Sequence, residues 1–400
     1  MGNMKAILLQ SEDTNFSATS RAVAIEVLVH GAQSRARLSQ RMGLSAGSLT
    51  RLVKPLIAAG VLVESTAVRA SQRGRYSLPL DVVPDNYRFI GVKLTAETAY
   101  AVVTDLRARV LETVSSTLQS HDVTEVTATV VSLVAALQKR GHPVIDSVGV
   151  TVGGRVANGA VVADSPYLRW RDVPFRELLG AELGLPVHIE NDVVGLTRAQ
   201  HWFGSGLGYE HFALLTVGAG IGYGLVINDT VVETSLEPIS HFPASPTGPT
   251  CSLGHRGCLS SLLTTAAITS AASIAHQRNV TYDEVLQLAE NNDPAALRIL
   301  QDAARALGRT AAAITALTGV ERIILSGEGV HLATVARRAL DEGINEFNAT
   351  GRPHLDPVIQ PVDFFEWARG AAVVAIQEDF LPTLEQTAPQ TDDQEGTTHA

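Results

Sequence analysis

The stretch from Ser34 to Gly60 constrains this chain more than any other. Ser34 precedes Leu38 and Met42, spaced four apart; Gly43 follows, and Ser45 opens a second periodic run. A serine hydroxyl accepts a hydrogen bond from an amide of the next turn, so each serine marks a helix start. Glycine takes the positive φ that a tight turn requires. Leu49, Leu52, Val53, Leu56 and Ile57 then form an apolar stripe, with Leu44 as a plug before it. Two helices joined by a tight turn are predicted. The outer face of the second carries Ala46, Ser48, Thr50, Arg51 and Lys54, a small, polar and basic surface of the kind that enters a DNA major groove. Pro55 lacks an N–H and is predicted to kink or end that helix.

The flanks complete a module over 18–80. Val23, Ile25, Val27 and Leu28 read as an earlier helix ending near Gly31, and Val61–Val63 as a strand. The run from Arg69 to Leu78 holds Arg73, Gly74 and Arg75, as a basic hairpin wing would. Residues 18–80 contain nine basic and two acidic side chains, a net +7, so the chain's −10 leaves −17 elsewhere. A basic head on an acidic body points to a polyanion for the head alone. A three-helix module can also bind protein; the basic face in the expected place favours double-stranded operator DNA. Arg35, Arg37, Ser45, Ala46, Ser48, Thr50, Arg51, Lys54, Arg73 and Arg75 are the candidate contacts. Residues 1–17 read as a tail and 81–86 as a linker.

From residue 87 the pattern changes. Phe89–Leu94, Ala99–Asp105 and Val110–Val114 read as consecutive strands, followed by a helix over 123–140 and a strand at Ser147–Val152 that ends in Gly153-Gly154. A helix over 176–183 and a strand at Val187–Glu190 follow. A second such unit begins at Leu214, where Gly218, Gly220, Gly222 and Gly224 alternate along a hairpin. Alanine-rich helices, a strand at Arg322–Gly327 and a helix near Trp367–Glu378 complete a mixed α/β order. The polar residues 382–400 read as a disordered tail.

Several segments together resemble the ROK family of repressors and sugar kinases. They are Gly149–Val156, Ser165–Leu179, Glu190-Asn191-Asp192, the glycine hairpin 218–224, and His241 followed by Cys251 and Gly257-Cys258-Leu259. The resemblance spans 18 to about 380. It implies an N-terminal winged helix-turn-helix followed by a two-lobed, actin-like (ribonuclease H-like) sugar-kinase fold over 87–381. One lobe covers about 87–190 with the C-terminal helix, the other about 191–366.

The same resemblance implies the sites. Family kinases carry an Asp-x-Gly-Gly-Thr phosphate loop at the first strand turn; here that place reads Gly91-Val-Lys-Leu-Thr-Ala. A carboxylate and paired glycines are gone, so no ATP use and no kinase activity are expected. Gly153, Gly154, Asn191, Asp192 and His241 are the expected contacts of a small-molecule effector, a sugar or sugar derivative. Two acidic sugar ligands of the family fall on Pro238 and Ser260, which leaves a ligand-independent regulator that uses the domain for oligomerisation as the first alternative, with an active sugar kinase as the second. The family's zinc pattern keeps His241, Cys251 and Cys258, but its middle cysteine is Leu253. His255 is the candidate fourth ligand of a structural zinc; two thiols in a metal-free loop are the alternative.

Two cysteines make no disulfide framework, no apolar run is long enough to span a bilayer, and the apolar core of the N-terminus is too short for a signal peptide. A cytoplasmic protein is expected, without a membrane partner. A single head reads a short half-site, so a homodimer or homotetramer is expected. Ligand between the lobes would change their angle and respace the heads.

Overall fold

The computed structural model describes residues 16–65, 68–69, 76–142, 144–232, 239–346 and 355–380. Arg73, Arg75, Pro238 and the segment 382–400 lie outside the described residues, as do residues 1–15 of the expected N-terminal tail. The chain divides into two compact units, Met1–Val83 with Ile376–Ala400, and Pro84–Ala375.

The first unit opens with three helices, α1 (Ala18–His30), α2 (Arg35–Arg41) and α3 (Ala46–Ala58). Both predicted serine caps form: Ser34 Oγ accepts the Arg37 amide at 3.2 Å, and Ser45 Oγ accepts the Ser48 amide at 3.1 Å. Gly43 turns between the helices at φ +63°. Leu38, Leu49, Val53 and Leu56 are buried with Val23, Val27 and Leu28, while Met42 and Leu44 are only half-buried.

Pro55 does not end α3. The helix runs on for another turn, and the Ala59 amide bonds the Pro55 carbonyl at 2.9 Å. Proline removes one internal donor, but Val53 and Leu56 are buried on either side of it and hold the turn in register.

The strands β1 (Leu62–Glu64), β2 (Val68–Arg69), β3 (Tyr76–Ser77) and β4 (Leu80–Val82) follow. β1 pairs antiparallel with β4 and β2 with β3. The expected linker at 81–86 is corrected here. Asp81 and Val82 belong to β4, Val82 is buried, and Pro84–Asn86 forms a short 3-10 turn. The apolar partner of Leu62 across the pair is the reason.

The second unit holds two five-stranded sheets. The first uses β5 (Phe89–Leu94), β6 (Thr98–Thr104), β7 (Val110–Thr117), β8 (Ser147–Val152) and β12 (Val187–Asn191), with α4 (Val123–Lys139) and α5 (Phe175–Leu183) between. A small sheet of β9 (Arg155–Ala157), β10 (Val161–Ser165) and β11 (Trp170–Val173) is inserted after β8. The helix α6 (Asp192–Phe203) leads to the second sheet, of β13 (Phe212–Val217), β14 (Ile221–Ile227), β15 (Thr230–Val232), β16 (Arg322–Gly327) and β17 (Val358–Pro361).

Within that second half lie α7 (Leu259–Leu263), α8 (Thr265–His276), α9 (Tyr282–Glu290), α10 (Pro294–Thr318), α11 (Leu332–Val335) and α12 (Arg337–Asn345), and α13 (Phe364–Phe380) closes the chain. Both sheets run third, second, first, fourth, fifth in the order of their own strands. In both, the first three strands are antiparallel and the last two parallel to the first. This is the doubled, two-lobed order of the actin-like fold. Each lobe has its own apolar core, one around Val92, Val130 and Val150, the other around Leu215, Leu307 and Leu325.

Candidate functional site

The outer face of α3 presents Ala46, Thr50, Arg51 and Lys54 to solvent, with Ser48 half-buried. Three of its polar groups are partly engaged by the helix itself. Ser45 donates to Ser48 Oγ at 3.0 Å, and Thr50 Oγ1 donates to the Ala46 carbonyl at 2.8 Å. Arg37 is exposed on α2, whereas Arg35 pairs with Glu64 of β1 at 2.7 Å. Arg51 and Lys54 are therefore the extended cations that α3 itself offers a polyanion.

In the second unit the parallel strands β8 and β12 end side by side, and the chain turns there into α6. Asn191 is the N-cap of α6: its Oδ1 accepts the Val193 and Val194 amides at 2.9 and 3.1 Å. Its Nδ2 donates to the Gly154 carbonyl at 2.7 Å, which ties the glycine pair to the helix start. Gly154 has φ +132°, a conformation suited to glycine, and a Cβ there would meet the Asp164 carbonyl oxygen at 2.1 Å. Glu190 turns away, bonded to the Asn191 amide and to Arg198.

Asp192 is the first residue of α6. Its Oδ1 accepts the Val193 amide, and its Oδ2 accepts from the ammonium of Lys93. Lys93 lies on β5, is almost wholly buried, and has its nitrogen 5.4 Å from the ring centre of Trp367. The one signal of Lys93 in the sequence is a lone charge in the apolar strand Phe89–Leu94. The adjoining turn is closed on itself. Thr95 Oγ1 accepts the amides of Glu97 and Thr98 at 3.3 and 3.0 Å. Two amides of this turn are thus engaged within it.

On the other lobe, Glu328 follows β16 and accepts the Ala219 amide at 2.9 Å, covering the glycine hairpin between β13 and β14. Tyr167, from the turn between β10 and β11, packs on Gly153 and reaches Gly220. Burial raises its hydroxyl pKa, and the Asp192 and Glu328 carboxylates push the same way. Neither Tyr167 nor Glu328 carries a signature that sequence alone exposes. The structure thus brings Gly153, Gly154, Asn191 and Asp192 together.

His241 belongs to another cluster. Its Nδ1 is 3.7 Å from Cys251 Sγ and 3.8 Å from Cys258 Sγ, and the three donor atoms lie within 4.8 Å of one another. Tetrahedral zinc separates nitrogen and sulfur ligands by roughly 3.6 Å, so these three fit one face of its shell. Desolvation opposes a Cys251 thiolate. Hydrogen bonds from the Leu253 and His255 backbone and from Cys258 outweigh it and lower the thiol pKa. The expectation for His255 is corrected: it is exposed and outside the donor set, its ring edge-on to His241 at 4.9 Å. The Cys251 amide bonds the His255 carbonyl at 2.9 Å, a pairing that fixes the backbone of this loop. Leu253, in place of a third cysteine, is exposed.

No helix among the described residues is long and apolar enough to cross a membrane. The chain is similar to the DNA-binding transcriptional repressor Mlc of Escherichia coli, at 23% identity over 84% of this chain and 86% of that protein. It is 26% identical to a putative xylose repressor of Caldicellulosiruptor over 74% of each. Among solved structures it is similar to a ROK family transcriptional regulator homologous to Escherichia coli Mlc. That likeness has a TM-score of 0.77 and 21% identity, over 91% of this chain and 98% of that one. A ROK family glucokinase from Streptomyces griseus, solved with glucose and AMPPNP, aligns at a TM-score of 0.63 and 22% identity, over 72% and 98%. The ROK family model matches residues 89–378, and with both lobes in the same strand order, the chain belongs to the ROK family.

Proposed function

We propose that this chain is a cytoplasmic, non-catalytic DNA-binding transcriptional regulator, a repressor of carbohydrate-related genes. The observation that carries the reading is the exposed Arg51 and Lys54 face of α3, set by a capped helix-turn-helix inside the basic segment 18–80. The DNA module covers 18–82, with β4 included, and the ROK domain covers 87–381. Arg35, Arg37, Ser45, Ala46, Ser48, Thr50, Arg51 and Lys54 face operator DNA, with Arg73 and Arg75 on the wing. Two or four copies bind a symmetric site. The likeness to proteins named as repressors supports this reading. Operator binding by Arg51→Ala combined with Arg73→Ala tests it: affinity at fixed salt falls and the salt slope flattens. Unchanged affinity and slope would sink it.

A sugar or sugar derivative in the cleft at Gly153, Gly154, Asn191 and Asp192 modulates that binding. Asp192 acts there as a hydrogen-bond acceptor and not as a base, because the Lys93 ammonium holds its carboxylate and the phosphate loop of a kinase is replaced at Gly91–Ala96. His241, Cys251 and Cys258 would hold a structural zinc. A second reading, a ligand-independent regulator, is favoured by one observation: Lys93 already occupies Asp192. Thermal-shift screening of sugars with Asp192→Asn as control separates the two. A shift that the variant abolishes supports sensing.

A further inference from the structure

The turn between β10 and β11 stands over the Asp192 end of the cleft. Ser165, buried at the end of β10, donates to the Gly153 carbonyl at 2.7 Å and clamps the turn to the end of β8. Tyr167 projects from that turn. Its ring lies so close to Gly153 that a Cβ there would meet Cδ2 at 2.7 Å. Its hydroxyl would meet a Cβ on Gly220 at 2.8 Å. Gly153 ends a strand of the first lobe, and Gly220 lies in the hairpin of the second. One side chain therefore touches both lobes, yet 40% of it remains exposed.

The chemistry around the ring is specific. A Cβ on Gly153 would also lie 3.4 Å from Asp192 Oδ2, so ring and carboxylate adjoin. Glu328 is the second carboxylate near the hydroxyl. Lys93, the buried lysine beside this carboxylate, is already paired with Asp192. Two carboxylates with one engaged ammonium disfavour an anion. An aromatic face beside a hydroxyl acceptor suits a molecule with an apolar face and a hydroxylated rim. A pyranose has both, and its polarised C–H groups are attracted to the negative face of the ring.

We infer that Tyr167 is the specificity residue of the cleft: its ring takes the C–H face of a neutral pyranose, and its hydroxyl on Gly220 couples that ligand to the second lobe. The inference rests on the proposal that the cleft at Asp192 holds the effector.

Titration calorimetry of the full chain with D-glucose, D-xylose and N-acetyl-D-glucosamine tests it, with hydrogen exchange of residues 218–224 as a second readout. At least one sugar binds the wild-type chain and slows exchange in the hairpin. Tyr167→Ala weakens that sugar about tenfold, the scale of a lost aromatic contact. Tyr167→Phe keeps the affinity within about threefold but loses the protection of the hairpin. Gly220→Ala weakens binding by crowding the hydroxyl, and Tyr167→Phe in the same chain restores it. If Tyr167→Ala binds like wild type while Asp192→Asn does not, the role of Tyr167 is wrong and the cleft stands. If none of the three sugars binds, or binding ignores both residues, the cleft reading fails and takes this inference with it.

Discussion

Lys93 and Asp192, ninety-nine residues apart in the chain, form a largely buried ion pair across the end of the first sheet. The ammonium comes from the strand that in family kinases leads into the phosphate loop. Taking one partner away leaves the other charge without compensation in a poorly solvated place. Lys93→Met is expected to cost about 3 kcal/mol, and the double variant Lys93→Met/Asp192→Asn much less. Urea midpoints of the four chains measure the difference, and equal losses in the single and double variants would contradict the pairing.

Arg35 is held by Glu64 at the edge of the proposed DNA face. The pair is exposed, so it adds little to stability. Its consequence is electrostatic. Glu64→Gln frees the guanidinium and removes a negative charge, which should tighten operator binding about threefold at low salt and steepen the salt slope. Fluorescence anisotropy over a salt series reads both, with the melting temperature nearly unchanged.

Pro55 lies inside a continuous helix, where its missing N–H leaves the Arg51 carbonyl without the usual helical donor. Pro55→Ala supplies that donor at an exposed position and should stabilise the first unit by about 1 kcal/mol. Calorimetry gives the shift, and circular dichroism should show no change of helix content beyond the last turn.

The cysteine loop makes a metal prediction. Protein purified without chelator should carry about one zinc per chain, and Cys258→Ser should lose most of it. Ligand atoms must be deprotonated, so the metal should leave as pH falls. Plasma emission spectrometry on dialysed protein checks both.

His201 supplies a pH dependence. Burial lowers its pKa below 6.5 in the folded chain, and its contact with Asp229 offsets only part of that. As pH falls past about 6.5 the unfolded chain takes up a proton that the folded chain resists, so stability present at higher pH is lost. His201→Gln should flatten that part of the stability profile between pH 8 and pH 5.

Local signals carried much of this molecule. Ser34 and Ser45 cap helices because hydroxyl capping is decided within one turn, and the strands around Phe89, Ser147 and Arg322 stand out because buried strands are largely apolar. Pro55 misled because its local cost is outweighed by Val53 and Leu56 packing into the three-helix core. Asp81 and Val82 misled because a short strand announces itself only through its partner, here β1. Lys93, Tyr167 and Glu328 were hidden for a related reason. Each acts through a residue far away in sequence, and no spacing rule links them. His255 was named by ligand type and nearness in sequence, and the turn of its loop keeps it out of the donor set.

Each lobe of the second unit contains a complete sheet with helices and a core of its own. A closing rotation therefore leaves the interior of either lobe intact, and ligand binding has to do work only against the seam. Modest affinity suffices to drive such a motion, which makes an architecture of two self-contained lobes ready material for a switch.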